Sequence, residues 1–303
     1  NSDIDLFKDL ALSVGVAFSQ TNRNMSDDGS IQRSSPYYLS LIKSPLVAPY
    51  LQSKTGSFLS ELSDVDVWGV SNPLSITKNG IGEHSQYRLN IYGKLNYTLT
   101  QDWSLNGVFS YDRDKMKENY FLPEFGVSNL YIPETESYSY NHVASLASSY
   151  IGLYGSVAAS YQKTLNYIHR INGNAGLRYQ ANTYKAEGGE GDNSSSIYLT
   201  NNMINQKFRY DNETWKWASA FVDVDYSLLN RYSAWLSVSA DGSSRAGKNE
   251  RYGALPSLGA AWKVSGEEFM KNAKLFDLLE LRADWGMTGN DYAMNIVTKD
   301  YFA

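Results

Sequence analysis

The sequence predicts an all-β chain, an antiparallel transmembrane β-barrel portion with long extracellular loops and short periplasmic turns. Three observations carry this. Nine stretches alternate apolar and polar residues with the period of two that marks a strand with one face in each environment. No Asp, Glu, Lys or Arg stands in any of the nine apolar columns, whereas Arg88, Lys94, Arg170, Arg178, Asp223, Asp225, Lys263, Glu280, Arg282 and Asp284 all fall between them. The connections alternate between very short and very long, as in outer-membrane barrels.

Taken in order, the first column is Leu10, Leu12, Val14, Val16 and Phe18. A long connection follows, in which Ser35-Pro36 before Tyr37-Tyr38-Leu39 signals a short helix with Pro in its first turn. The column over 87–99 is Tyr87, Leu89, Ile91, Gly93, Leu95, Tyr97 and Leu99, and after Gln101-Asp102 the column over 103–111 is Trp103, Leu105, Gly107, Phe109 and Tyr111. Both carry aromatics near their ends, as the interfacial girdles of a barrel require, and a tilted strand of roughly 9–11 residues crosses a bilayer. Columns over 151–161 and 167–179 form a second tight pair. The polar, Gly-rich run over 187–196 reads as a mobile loop tip. Further columns lie over 218–226, 232–240, 258–264 and 279–287, with a helical candidate over 266–275. The tight turns fall at 100–102, 162–166 and 227–231, and the long connections at 19–86, 112–150, 180–217 and 241–257.

Composition narrows the function classes. The 303 residues include 24 Tyr, 7 Trp and 11 Phe, an excess that suits interfacial belts and sugar- or peptide-binding loops. A net charge of -5 gives no electrostatic footprint for nucleic acid. With no cysteine there are no disulfides, thiol nucleophiles or Cys-based zinc sites. The three histidines, His84, His142 and His169, lack metal-ligand spacing, and Asp192-Asn193 lacks the ordered oxygens of a calcium loop. We expect no metal, no cofactor and no catalytic residue. Asp223 and Asp225 lie about 7 Å apart on one strand face, within hydrolase geometry, but they sit on the polar column, where a solvated pair is ordinary. The opening Asn1-Ser2-Asp3-Ile4-Asp5 is neither basic nor apolar and does not read as a secretory signal, so the expectation is either a signal already removed or an internal piece of something longer.

The last third carries a resemblance. Asp241-Gly242-Ser243-Ser244-Arg245 is followed by Arg251-Tyr252-Gly253, by Leu255-Pro256-Ser257-Leu258-Gly259-Ala260-Ala261-Trp262 and by Glu267-Glu268-Phe269-Met270. Then comes Leu279-Glu280-Leu281-Arg282-Ala283-Asp284-Trp285-Gly286-Met287-Thr288-Gly289-Asn290. This order and spacing resembles the later barrel strands of SusC/RagA-type TonB-dependent outer-membrane transporters of Bacteroidetes. The likeness is looser over 1–216, where Ser44-Pro45-Leu46 and Asn72-Pro73 match short family motifs. Ala246, Ala254 and Glu280 depart from the usual pattern without disturbing the alternation.

The resemblance implies one partial TonB-dependent receptor barrel over 1–303, about nine strands of some 22, without the plug. It implies a place in the Gram-negative outer membrane, active import of an oligosaccharide or peptide, and no chemistry on the cargo. It further implies a SusD-like surface lipoprotein as partner and the TonB complex acting through parts outside this chain. Loop aromatics Trp68, Tyr131, Tyr138 and Tyr140 are the candidates for contact with cargo. Arg88, Lys94, Asp223, Asp225, Glu280, Arg282 and Asp284 are expected to face the lumen. The rival reading is a soluble or surface-exposed β-sandwich with a binding or adhesion role, since a sandwich core is equally free of charge.

Overall fold

The computed structural model describes residues 2–26, 33–246, 251–270 and 276–289. In chain order the elements are β1 (Ser2–Phe7), β2 (Leu10–Asn24), α1 (Pro36–Ile42), β3 (Tyr50–Gln52), β4 (Phe58–Leu62), α2 (Pro73–Asn79), β5 (Ile81–Thr98), β6 (Trp103–Leu122), β7 (Leu130–Ile132), β8 (Ser137–Ser139), β9 (His142–Leu165) and β10 (His169–Asp192). β11 (Ile204–Leu228), β12 (Tyr232–Ser243), β13 (Tyr252–Lys263) and β14 (Glu280–Gly286) complete the strands. Ten of them form one antiparallel sheet in the order β1-β2-β5-β6-β9-β10-β11-β12-β13-β14, each paired with its chain neighbour in the sheet.

All nine expected strands are present, and the sheet has a tenth, β1, whose alternation over six residues is too short to stand out. The pairing register joins the apolar columns into one continuous face. Val16 lies opposite Ile91, Ile91 opposite Tyr111, and Tyr111 opposite Leu153. On the far side Leu177 faces Ala220, Val222 faces Val238, and Leu258 faces Trp285. A one-residue slip in any pair would carry a whole column to the other face, so the pattern itself fixes the register. No second sheet covers this face among the described residues: Leu177 is 60% exposed and Val222 50%. An exposed apolar face of this kind fits a barrel wall and not the packed inner faces of a β-sandwich.

Aromatics border the face. Tyr97, Trp103, Tyr161, Tyr226, Tyr232 and Trp262 mark its short-turn edge, with Trp103 and Tyr161 rings 4.8 Å apart. From Tyr97 to Tyr87 is about 33 Å along the strand, or about 25 Å of height at a 40° tilt, the thickness of a barrel's apolar band.

The strands run much further than the hydropathy pattern. β9 and β10 have 24 residues each and β11 has 25, about 80 Å of extended chain. The long connections are therefore shorter than expected, and the hairpins project beyond the apolar band on that side. The run over 187–192 is the end of β10, paired with both neighbours, rather than a mobile tip. The candidate helix over 266–275 is instead two 3₁₀ turns, Val264–Gly266 and Glu268–Met270, with 271–275 outside the described residues. The motif residue Asn290 also lies outside them.

The short turns need left-handed backbone. Asn166 and Tyr167 (φ 50° and 60°) and Leu229 and Asn230 (φ 55° and 54°) have positive φ at both central positions, as type I′ hairpin turns demand. In the β13–β14 connection, on the short-turn side, Glu267 fastens the first 3₁₀ turn to the girdle. It accepts from the Tyr232 hydroxyl, from Trp262 Nε1 at 3.1 Å and from Arg231 Nη1 at 3.3 Å. The hydrogen bond from Tyr232, followed by that from Trp262, holds its carboxyl below the usual range.

Candidate functional site

Two surfaces remain once the apolar face is set aside: the polar face of the sheet and a cap built by the long connections.

The cap has its own small core, Leu39, Ile76, Leu122 and Val127, with Val70 and Tyr120 packed against it. Ser35 caps α1 by accepting from the Tyr38 backbone N–H at 3.3 Å, and Pro36 occupies the first turn, as the sequence suggested. Asn72, fully buried, caps α2 through Oδ1 and donates from Nδ2 to the carbonyls of Pro49 (2.8 Å) and Ser63 (2.7 Å). Gly126 must be glycine: φ is 79°, and a Cβ there would sit 2.4 Å from Ser75 Cβ.

Two buried ionic clusters hold the cap in place. Lys43 Nζ donates to Asp66 Oδ2 at 3.2 Å and to the carbonyls of Val70 and Ser71. Their side chains are 7% and 2% exposed, so the pair is desolvated. Burial pushes the Asp66 carboxyl up, but hydrogen bonds from the Val70 N–H, from Lys43 and from the Trp68 N–H outweigh it and the net direction is down. The second cluster centres on Asp192 at the end of β10. It accepts from Ser139 Oγ, from His142 Nδ1 and from Asn205 Nδ2, each at 2.9 Å. Arg33 lies 4.0 Å away and donates to the Ser139 hydroxyl at 2.9 Å and to its carbonyl at 3.2 Å. Burial raises the Asp192 carboxyl and the three hydrogen bonds lower it further than that, while burial lowers the Arg33 guanidinium. The cluster ties β8, β9, β10 and β11 to the long connection before α1.

The four expected contact aromatics lie on or beside this cap. Trp68, 65% exposed, sits on a turn made by Asp66 Oδ1 accepting from the Trp68 and Val70 N–H groups. Tyr131 and Tyr138 are not in irregular loops; they face each other across the β7–β8 hairpin with ring centroids 5.2 Å apart, about half exposed. Tyr140 follows that hairpin, its N–H donating to Asn193 Oδ1 at 2.7 Å.

The expected lumen charges all lie on the polar face by register. Arg88 Nε donates to Asp114 at 2.9 Å, Asp223 accepts from Ser237 Oγ at 2.5 Å, and Arg282 pairs with Asp284 through Nε (2.8 Å) and Nη2 (3.2 Å). Lys94 is exposed, Asp225 lies opposite Asn172 and Trp235, and Glu280 is opposite Lys263. A ladder of amides and hydroxyls, Asn106 to Ser160 (3.0 Å) and Ser160 to Asn174 (3.2 Å), crosses three strands.

Sequence reasoning missed three stacks on this face. Arg178 lies 3.9 Å from the Phe221 ring centroid, Arg245 4.0 Å from Trp215, and Arg282 4.4 Å from Trp235. Gly259 makes room for the last, since a Cβ would meet the Trp235 indole at 2.3 Å. The signal was available: Trp215, Trp217, Phe221 and Trp235 occupy polar-column positions, where lipid burial cannot account for them. Among the described residues no group of three or more His, Asp or Glu could hold a metal ion.

No family model matches the chain. TonB-dependent receptor P26 of Formosa agariphila is 28% identical over 232 residues, which cover 73% of this chain and 22% of that one. TonB-dependent receptor SusC of Bacteroides thetaiotaomicron is 45% identical over 71 residues, 23% of this chain and 7% of SusC. Among solved structures, that of the RagAB peptide transporter superposes on 97% of this chain and 32% of its own, with a TM-score of 0.74 at 17% identity. The chain thus spans under a third of the proteins it resembles. Its fold is the antiparallel wall of a transmembrane β-barrel, and it resembles part of a SusC/RagA-type TonB-dependent receptor.

Proposed function

We propose that the chain is part of the barrel of an outer-membrane importer that takes up a large polar nutrient, an oligosaccharide or a peptide. The observation that carries this reading is the partition of the sheet. One face is apolar, uncovered and free of charge over a band of bilayer thickness, while the other carries charges, amides and arginine–aromatic stacks. A hydrocarbon-facing wall around a wet interior requires that division. The likeness to TonB-dependent receptors supports import in particular.

In this reading the short turns are periplasmic and the cap is extracellular. Arg88, Lys94, Asp223, Asp225, Glu280, Arg282 and Asp284 line the lumen. Trp68, Tyr131, Tyr138 and Tyr140 offer flat apolar faces to sugar rings or peptide side chains. A SusD-like surface lipoprotein closes the cap side, and the TonB complex supplies energy through segments outside this chain. The cargo passes unmodified.

Deleting the gene of the full-length protein and measuring growth on defined oligosaccharide and peptide mixtures tests the reading. Growth is expected to fail on one cargo class and to return with the wild-type gene. Unimpaired uptake of every mixture, or uptake unaffected by loss of TonB, refutes it.

A further inference from the structure

The outward face carries a charge pattern that burial in hydrocarbon does not require. Beyond Tyr111, β6 continues Asp112-Arg113-Asp114-Lys115-Met116-Lys117-Glu118. Period two places the three acids on the polar face and the three bases on the outward face. The acids are satisfied: Asp112 accepts from Asn90 and Ser110, Asp114 from Arg88 and Gln86, and Glu118 pairs with His84 at 2.7 Å. Arg113, Lys115 and Lys117 are exposed and have no hydrogen-bond or ion-pair partner among the described residues.

Neighbouring strands extend the pattern. Lys115 is in register with Ser149 of β9, which is in register with Lys185 of β10, and Lys216 of β11 lies opposite Ala181. Both added lysines are exposed on the same face, just past the loop-side end of the apolar band. The acids on this stretch are Glu83 and Glu187, so cations prevail here in a chain of net charge -5. Across these strands lies a groove of about 410 Å³ whose lining includes Tyr87, Lys115, Lys117, Lys185 and Tyr210, with Glu187 as its one acid against three lysines.

We propose that this groove binds the phosphate groups of a lipid headgroup in the loop-side leaflet, with the acyl chains lying on the apolar band below. Unpaired lysines on long stems suit that depth, because the stems lie along apolar surface while the ammonium groups reach the phosphates. The assignment rests on the reading of this face as the lipid face.

The test uses the full-length protein in detergent, with native mass spectrometry of bound diphosphoryl lipid A and of its dephosphorylated form. The phosphorylated lipid is expected to bind tighter. The combined Lys115→Gln, Lys117→Gln and Lys185→Gln variant should lose about a hundredfold in affinity, roughly fivefold per lysine, and the matching Lys→Arg variant should keep it. Equal binding of the two lipids by the wild type, an unchanged Gln variant, or full displacement by an equal concentration of inorganic phosphate overturns the site. A fluorophore on Val157→Cys in vesicles with brominated acyl chains tests the underlying premise separately. Quenching without a phosphate preference overturns the headgroup site alone, and no quenching overturns the lipid-face reading itself.

Discussion

Placing an arginine at Val222 is the sharpest probe of which face meets hydrocarbon. Val222 is 50% exposed on the outward face, between Ala175 and Val238 on the adjoining strands. Tyr226 of the girdle lies about 13 Å along β11 in one direction, and Lys216 about 20 Å in the other. At a 40° tilt these become depths of about 10 and 15 Å, so Val222 is near the midplane. An arginine there is expected to cost about 2–4 kcal/mol, whereas Thr214→Arg, on the same face but beyond the band, should cost about 0–1 kcal/mol. The assay is denaturant titration of the full-length protein folded into phosphatidylcholine vesicles, followed by tryptophan fluorescence and by heat-modifiable gel mobility. If Val222→Arg shifts the midpoint no more than Thr214→Arg, the apolar face is not immersed in lipid and the barrel reading is wrong.

Further outcomes follow from the cap. Lys43→Met leaves Asp66 buried without its cation and should destabilise the cap by about 3 kcal/mol, seen as faster proteolysis between β2 and β5 with the barrel intact; unchanged proteolysis would deny the pair its role. Asp192 contributes pH dependence. Its folded value lies below the ordinary 3.8, so its stabilisation is complete above about pH 4 and drains away as pH falls through the folded value. Hydrogen exchange around Ser139 and Asn141 should rise in that acid window, and in Asp192→Asn it should exceed the wild type's above the window and lose the acid-induced rise. Tyr131→Ala or Trp68→Ala should weaken apparent cargo affinity about two- to tenfold if the rings contact cargo; unchanged affinity with a loosened cap assigns them to packing.

What the sequence determined alone is the partition of the wall. Because strand side chains alternate strictly, charge-free columns such as those headed by Tyr87 and Trp103 marked both the strands and the face each residue would occupy. The motifs around Asp241 and Trp285 pointed to the same architecture. Tertiary structure decided what alternation does not encode. Past Tyr111 both faces of β6 are polar, so hydropathy falls silent while the backbone pairing continues to Leu122, and only the neighbouring strands reveal it. The Asp192 cluster draws on Arg33, on Ser139 and His142, and on Asn205, three segments far apart in the chain, and no local pattern brings them together. Stacks such as Arg178 on Phe221 depend on cross-strand register, which exists only once the sheet has formed.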